Sequence, residues 1–211
     1  MIQEEKFIKI KFFLDLEKEE KWLNKMGQNG YAFERKSLFY YFKKTNTSNG
    51  IIKIDFRRFK HNKDFTDYIS MFEDSGWKHI SGTKSSGTQY FRLIDKEKNE
   101  DIFSDVHSRA GRYKRIADMC LFYELLFVAL FIVSVSQGMV EIQNLFLPKE
   151  WYLTPGLWEL EGFSFVWAFL FETPFALYRG CSWLICIVFA ILNGIFAIKS
   201  SLTYRKNIRE E

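Results

Sequence analysis

The chain has 211 residues, a formal net charge of +4 and three cysteines. Its length allows one soluble domain of ordinary size, and its few cysteines and modest charge exclude a disulfide-stabilised mini-protein and a strongly basic nucleic-acid-binding domain. The mean hydropathy of -0.17 averages a charge-rich first half and a second half with long apolar runs.

The first residues, MIQEEKFIKIKFF, alternate between apolar and charged side chains. They lack the apolar core of a cleaved signal peptide, so we expect none and assign the targeting role to a later apolar run. The alternation at 8–12 predicts a β-strand, and the same alternation at 52–56 predicts a second one.

A helix is predicted after each of these strands, at 17–28 and at 64–75, because the apolar residues of each segment fall on one face. Both segments end at a glycine followed by an aromatic residue, Gly30 with Tyr31 and Gly76 with Trp77. Glycine can adopt the left-handed conformation that ends a helix, and the aromatic residue can then cover the edge of the core.

Two strand-like pieces follow each helix, at 31–34 and 38–43 in the first half and at 77–81 and 89–94 in the second. The order β-α-β-β therefore occurs twice. We expect the two sets to form one antiparallel sheet with both helices on one face, which is a duplicated, ferredoxin-like α+β domain over residues 1–116.

This half of the chain also resembles a known family. The segments that carry the resemblance are WLNKMGQNGYAF, LFYYFKK, IDFRRF, YISMFEDSGWKHI, YFRL and DIFSD, followed by a basic stretch and apolar runs. They are similar to domain of unknown function 2812, a family of bacterial membrane proteins, over about residues 5–115. Gly30-Tyr31 departs from the usual Gly-Trp. The resemblance implies no activity. It does imply that the protein is encoded beside a small winged-helix transcriptional regulator, which is a candidate functional context.

Two apolar runs follow, at 119–138 and 180–198, and Glu124 is the one ionisable side chain in the first that is charged at pH 7. Each run has the roughly 20 residues needed to cross about 30 Å of hydrocarbon. We therefore expect an α-helical membrane hairpin within a membrane domain at 117–211.

Basic residues are concentrated on one side of this hairpin. Arg109, Arg112, Lys114 and Arg115 precede the first run, and 199–209 is basic as well. By the positive-inside rule, both termini are cytoplasmic, 139–179 is external, and the protein is a multi-pass protein of the cell membrane. The four residues before the first run are also a candidate lipid-facing basic collar, since anionic lipids attract juxtamembrane cations.

The apolar stretch at 163–178 is too short for a confident span and contains Glu172. We interpret it as an interfacial or re-entrant segment, and a third span is the alternative. Its surroundings supply a candidate external interface, because tryptophans favour the headgroup level of a membrane. That interface consists of Trp151, Trp158, Trp167 and Glu172.

Glu124 and Asn193 are expected at similar depth in antiparallel helices and form a candidate intramembrane polar pair. Three interpretations stay open: a hydrogen bond between the helices, a carboxylate that reaches back to the interface, and a role in transport or proton relay.

No constellation typical of catalysis, metal binding or cofactor binding is visible in the sequence. The three histidines are scattered, and the glycines at 82 and 87 fit a hairpin loop rather than a phosphate-binding loop. We therefore expect no enzyme and no cofactor.

The leading hypothesis is a membrane-anchored, non-enzymatic binding or regulatory protein whose cytoplasmic domain engages a protein or a small ligand. The alternative is an accessory or immunity subunit of an exporter or a membrane-active peptide, with 139–179 as its contact surface. The expected partners are the lipid bilayer and another protein, a homo-oligomer is possible, and direct nucleic-acid binding is not expected.

Overall fold

The computed structural model describes residues 6–45, 50–95, 97–138, 140 and 147–209. These residues form an α+β protein. In chain order its elements are β1 (Lys6–Lys9), α1 (Leu16–Gln28), β2 (Tyr31–Lys36), β3 (Tyr40–Lys44), β4 (Ile52–Phe56), α2 (Asn62–Asp74), β5 (Trp77–Ser81), β6 (Thr88–Leu93), α3 (Val106–Ser136) and α4 (Gly162–Arg209). Two short 3-10 turns, Pro148–Trp151 and Leu157–Glu159, lie between α3 and α4.

The strands form two antiparallel sheets of three strands each, in the orders β1-β3-β2 and β4-β6-β5. The expectation of one continuous sheet is therefore wrong. β2 and β5 approach each other but do not pair as strands of one sheet. The hydrogen bond between them runs from the Lys36 N–H to a side chain, Ser81 Oγ, at 3.0 Å. Each strand also shifts register, between Phe33 and Arg35 and between His79 and Ser81, and such bulges bend a strand away from regular pairing.

The two short helices begin and end close to their predicted bounds. The carboxylate of Asp15 accepts the Glu17 N–H at 2.9 Å and so satisfies an amide at the start of α1. After the helices, Gly30 and Gly76 adopt positive φ angles of 83° and 85°. A side chain at either position would be strained, so the prediction that glycine ends both helices is confirmed.

The core against which these helices pack is largely aromatic. Leu23 of α1 is fully buried, as are Phe33 and Phe42 of the first sheet. The second sheet and α2 share a cluster whose rings meet edge to face or tilted, the arrangement that ring quadrupoles favour. Its members are Tyr68, Phe72, Trp77, Phe91 and Leu93.

The first strand departs most from its prediction. β1 ends at Lys9, and all four of its residues are exposed. Ile10 and Phe12, predicted to continue the strand, are 80% and 77% exposed. Alternation alone predicted a buried face here, but β1 lies at the edge of its sheet and its side chains stay exposed.

The chain divides into two compact units. Unit 1 comprises Met1–Ile116 with Ser200–Glu211, and unit 2 comprises Ala117–Lys199. Both α3 and α4 are long and apolar enough to cross a membrane, by length and composition. The stretch at 163–178 is not a separate element, because it belongs to the 48-residue helix α4, with Pro174 inside. Residues 139 and 141–146 of the predicted external segment lie outside the described residues.

Within unit 2, α3 and α4 run in opposite directions. The rings of Phe127 and Phe189 stack with centroids 5.1 Å apart. Glu124, one turn earlier in α3, lies beside Gly194, which is further along α4. Counted from these contacts at 3.6 residues per turn, the end of α3 is level with about residue 181 of α4, so that 162–179 extends beyond α3.

Candidate functional site: the arginines at the start of helix α3

The first turns of α3 are built into the sheets of unit 1. Arg112 is 1% exposed, and its Nη1 donates to Glu20 Oε1 at 2.5 Å and to the carbonyl oxygen of Ile54 at 2.7 Å. The carboxylate of Glu17 lies 3.6 Å from its Nη2. One guanidinium therefore joins α3 to both α1 and β4.

A second arginine makes the same kind of connection one turn later. Arg115 Nη2 donates to Asp55 Oδ1 at 2.6 Å, and its Nε donates to the carbonyl oxygen of Phe56. Between the two arginines, the Tyr113 hydroxyl donates to Asp15 Oδ1 at 3.1 Å. The start of α3 is thus held by β4 and by the cap of α1.

The structure places three members of the predicted lipid-facing basic collar in contacts within unit 1. Arg112 is buried and Arg115 is paired with a buried carboxylate, while Arg109, although 45% exposed, is paired with Asp101. Lys114 is exposed as well. The reason is helical geometry: positions 112 and 115 share the face of α3 that meets carboxylates of unit 1.

Three buried carboxylates lie behind this contact, and the sequence analysis missed all of them. Glu19, Glu20 and Asp55 are 2%, 6% and 2% exposed. The spacing of Leu16, Glu19, Glu20 and Leu23 on one face of α1 is the signal that could have found the two glutamates, because that face is the buried one.

Glu19 is the most heavily bonded of the three. Its Oε1 accepts the hydroxyls of Tyr40 at 2.8 Å and Tyr90 at 2.6 Å, and the Lys36 ammonium at 2.9 Å. Burial, reinforced by the neighbouring Glu19 charge, raises the pKa of both tyrosines far above their usual value. Both therefore remain protonated donors. Asp55 is held similarly, because Tyr68 donates to its Oδ2 at 2.8 Å.

A polar cleft of about 270 Å³ opens beside Arg112. Its charged lining is nearly balanced, and Lys53 Nζ lies 3.8 Å from Glu20 and 3.7 Å from Asp101. The charged residues are Glu17, Glu20, Lys21, Lys53, Asp101, Arg109 and Arg112. Since most of these groups are already paired, the arrangement holds elements together. It contains no nucleophile poised beside a base, and the described residues contain no group of three or more metal ligands.

The polar pair predicted within the apolar helices is brought close but not joined. The Glu124 carboxylate lies against Gly194, where an added Cβ would be 3.1 Å from Oε1. The Asn193 amide instead donates to the Phe189 carbonyl of its own helix at 2.8 Å. The small residue at 194 permits the approach, as expected, but the two polar side chains share no hydrogen bond in the described structure.

Two members of the predicted external interface form a cap on the first part of α4. The buried Glu172 carboxylate accepts the Thr154 N–H at 2.9 Å and the Arg179 guanidinium at 2.8 Å. Arg179 also donates to the Trp151 carbonyl oxygen at 2.8 Å, and the Trp151 indole lies where a Cβ on Gly180 would be. Glycine at 180 is therefore needed for this packing.

The other two tryptophans differ in their surroundings. Trp158 packs edge to face on Tyr152 at 5.3 Å between ring centroids and keeps 47% of its surface exposed. Trp167 is 67% exposed. Trp151 and Glu172 thus share one cap, Trp158 packs beside it on Tyr152, and Trp167 presents an exposed aromatic surface further along the chain.

A comparison with known proteins bears on this architecture. The model of the family described as "Protein of unknown function (DUF2812)" matches residues 15–125, from the cap of α1 into α3. No curated protein and no solved structure matches the chain. The matched range includes α1, both sheets except β1, and the arginines that join α3 to them. The chain therefore belongs to the DUF2812 family.

Proposed function

We propose that this protein is a membrane-anchored, non-enzymatic binding or regulatory protein whose cytoplasmic domain engages a protein or a small ligand. The observation that carries the proposal is the burial of Arg112 between Glu20 and the Ile54 carbonyl. Because α3 continues as one helix to Ser136, a change in the position of β4 or α1 must move its first turns.

The anchor in this proposal is a helical hairpin. α3 and α4 are apolar, antiparallel and in contact, and a membrane explains why their apolar side chains are exposed along most of their length. At 1.5 Å per residue, α4 is about 72 Å long, more than twice the hydrocarbon thickness. We infer that 180–198 crosses the membrane and that 162–179 lies outside, with both termini cytoplasmic.

The binding domain is a duplicated β-α-β-β fold over about 1–116. Support comes from two helices of 13 residues each, positive-φ glycines after both, and a bulge in the strand that follows each glycine. If the two sets are arranged as in the ferredoxin-like fold, the edge strands β2 and β5 lie side by side. A surface between two repeats is a common place for a ligand.

Purification of the intact chain from cross-linked membranes tests this proposal. The wild type is compared with an Arg112→Gln, Arg115→Gln double variant. Lys114→Gln is the control, because it also replaces a cation of this stretch with glutamine. We expect a stoichiometric protein or small molecule with the wild type and the control and a reduced amount with the double variant. The proposal fails if nothing co-purifies with any of the three, or if all three retain the same partner equally.

A second candidate function rests on the cap around Glu172. Its buried ion pair with Arg179 and its exposed aromatic residues give a folded external surface suited to an accessory or immunity subunit of an exporter or a membrane-active peptide. Replacing Trp158 and Trp167 with alanine separates the two functions. Loss of protection or export with an unchanged set of cytoplasmic partners favours this second candidate, and an unaffected phenotype eliminates it.

A further inference from the structure

The two sheets of unit 1 leave a gap where their edges separate. β2 and β5 are joined at Lys36 and Ser81, and beyond this hydrogen bond an open groove of about 350 Å³ lies between the strands. This volume is within the range of small-molecule sites. Residues from both repeats line the groove, so each repeat alone contains half of it.

The backbone is irregular on both sides of this gap. The register of β2 shifts between Phe33 and Arg35, and that of β5 shifts between His79 and Ser81. Bulges are over-represented beside binding sites because they end strand pairing and redirect side chains. Here they occur at matching positions in two strands that face each other across a groove.

The lining of the gap has an excess of positive charge. Lys78 and Arg92 line it together with one carboxylate, Glu34. Lys78 and Arg92 are directly opposite each other in the ladder between β5 and β6. Like charges at facing positions cost stability, and the carboxylate of Glu34 offsets one of the two.

Arg92 has an unused donor in this lining. Its Nη2 donates to the carbonyl oxygen of Phe33 across the gap, whereas its buried Nε has no acceptor within the described residues. Burial also lowers the pKa of the guanidinium, only partly offset by Glu34. A buried donor on a cation is best satisfied by an oxyanion.

We propose that the gap between β2 and β5 binds a small organic anion, whose oxyanion is held by Arg92 and Lys78 and whose apolar part packs on Ile80. This inference rests on the proposed binding function and names its ligand class. The cleft beside Arg112 is less suited, because its cations are already matched by carboxylates.

Titration of the full chain in neutral detergent tests the proposal with two probes, inorganic phosphate and dihexanoyl phosphatidic acid, at constant ionic strength adjusted with chloride. Binding is measured by calorimetry for the wild type, Arg92→Gln, Lys78→Gln and the control Lys63→Gln, an exposed cation on α2. We expect at least one probe to bind the wild type and the control equally, with affinity reduced about tenfold or more in Arg92→Gln.

Lys78→Gln keeps the test valid if Arg92→Gln fails to fold. Lys78 is exposed, so its replacement should weaken binding without loss of structure. The probe with the higher affinity tells a soluble anion from a lipid headgroup. Absence of binding by both probes, or equal binding by Arg92→Gln, overturns the proposal. Because partner capture from membranes is measured separately, failure here with a captured protein removes the anion site and leaves the proposed function standing.

Discussion

Unit 1 and the apolar helices of unit 2 differ in the side chains that they bury. Unit 1 buries Glu19, Glu20, Asp55 and Arg112 and gives each a partner of opposite charge or a hydrogen-bond donor. In unit 2, only 11% and 6% of the apolar windows of α3 and α4 are buried, so hydrocarbon side chains form the outer surface. The difference teaches that unit 1 is organised by burial from water, while unit 2 has the surface expected of helices solvated by lipid.

The largest effect should come from breaking the buried ion pair of unit 1. Arg112→Met removes the cation that is hydrogen-bonded to the buried Glu20 and leaves Lys53 at 3.8 Å, and we expect a loss of about 3–5 kcal/mol in the free energy of unfolding. Urea unfolding of the full chain in mild detergent measures it. The matched control is Arg109→Gln, which removes a half-exposed pair and should cost no more than about 1 kcal/mol.

A double variant distinguishes charge from packing at this site. Arg112→Met combined with Glu20→Gln removes the unpaired charge, so most of the lost stability should return. If the double variant is as unstable as Arg112→Met, the apolar stem of Arg112 rather than its charge holds α3, and the contrast between the two units is weaker than stated.

The next comparison removes a hydrocarbon side chain from each unit. Phe91 is fully buried and packs on Phe72 at 4.4 Å between ring centroids, so Phe91→Ala should cost about 3–5 kcal/mol. Leu125 of α3 is 61% exposed, and Leu125→Ala should change stability by roughly 0.5 kcal/mol or less. Equal losses, measured by the same unfolding assay, would show that protein rather than lipid covers α3.

A smaller effect is expected from a single hydrogen bond. Tyr90→Phe removes the hydroxyl that lies 2.6 Å from Glu19 Oε1. Bonds to charged groups contribute about 1.5–3 kcal/mol, and Tyr40 and Lys36 still satisfy the carboxylate, so we expect the lower part of that range. Tyr41→Phe, on a less buried side chain, is the control. A neutral Tyr90→Phe would mean that Glu19 is satisfied by its other two donors.

The smallest effect is a dependence of stability on pH. Burial lowers the pKa of His79, with the hydrogen bond to Gln89 and the charge of Glu73 acting against it. Because the unfolded histidine titrates near about 6.5, its stabilising contribution is complete above that pH and is lost as the pH falls toward the folded pKa. In His79→Gln, the free energy of unfolding should therefore change less between about pH 7.5 and 5 than it does in the wild type. If both proteins show the same dependence on pH, another group is responsible for it.

The sequence predicted local structure well where a local cause exists. α1 and α2 begin and end within two residues of their predicted bounds, because caps and positive-φ glycines are local signals. β5 at Trp77–Ser81 matches its prediction fully. Apolar helices over 119–138 and 180–198 were likewise expected from length and composition, whereas the inclusion of 163–178 in the continuous helix α4 was not.

Long-range contacts were the part that could not be predicted. Arg112 and Glu20 are far apart in the chain, and nothing local in either segment shows that they meet. The positive-inside pattern predicts only that these arginines set the membrane topology, and it gives no indication that they contact other parts of unit 1. The same limit applies to the two sheets, because the order of elements was predicted but not the bulges that keep β2 and β5 from pairing.

The central claim is that the start of α3 and the sheets of unit 1 move and open together as one rigid structural unit. Hydrogen–deuterium exchange on the full chain in lipid nanodiscs tests it most directly, with the wild type, Arg112→Gln combined with Arg115→Gln, and Lys114→Gln. The account predicts that amides of 106–116 and of β4 lose protection together in the double variant and not in the control. Loss of protection in 106–116 with β4 unchanged, or no change in either, would contradict it.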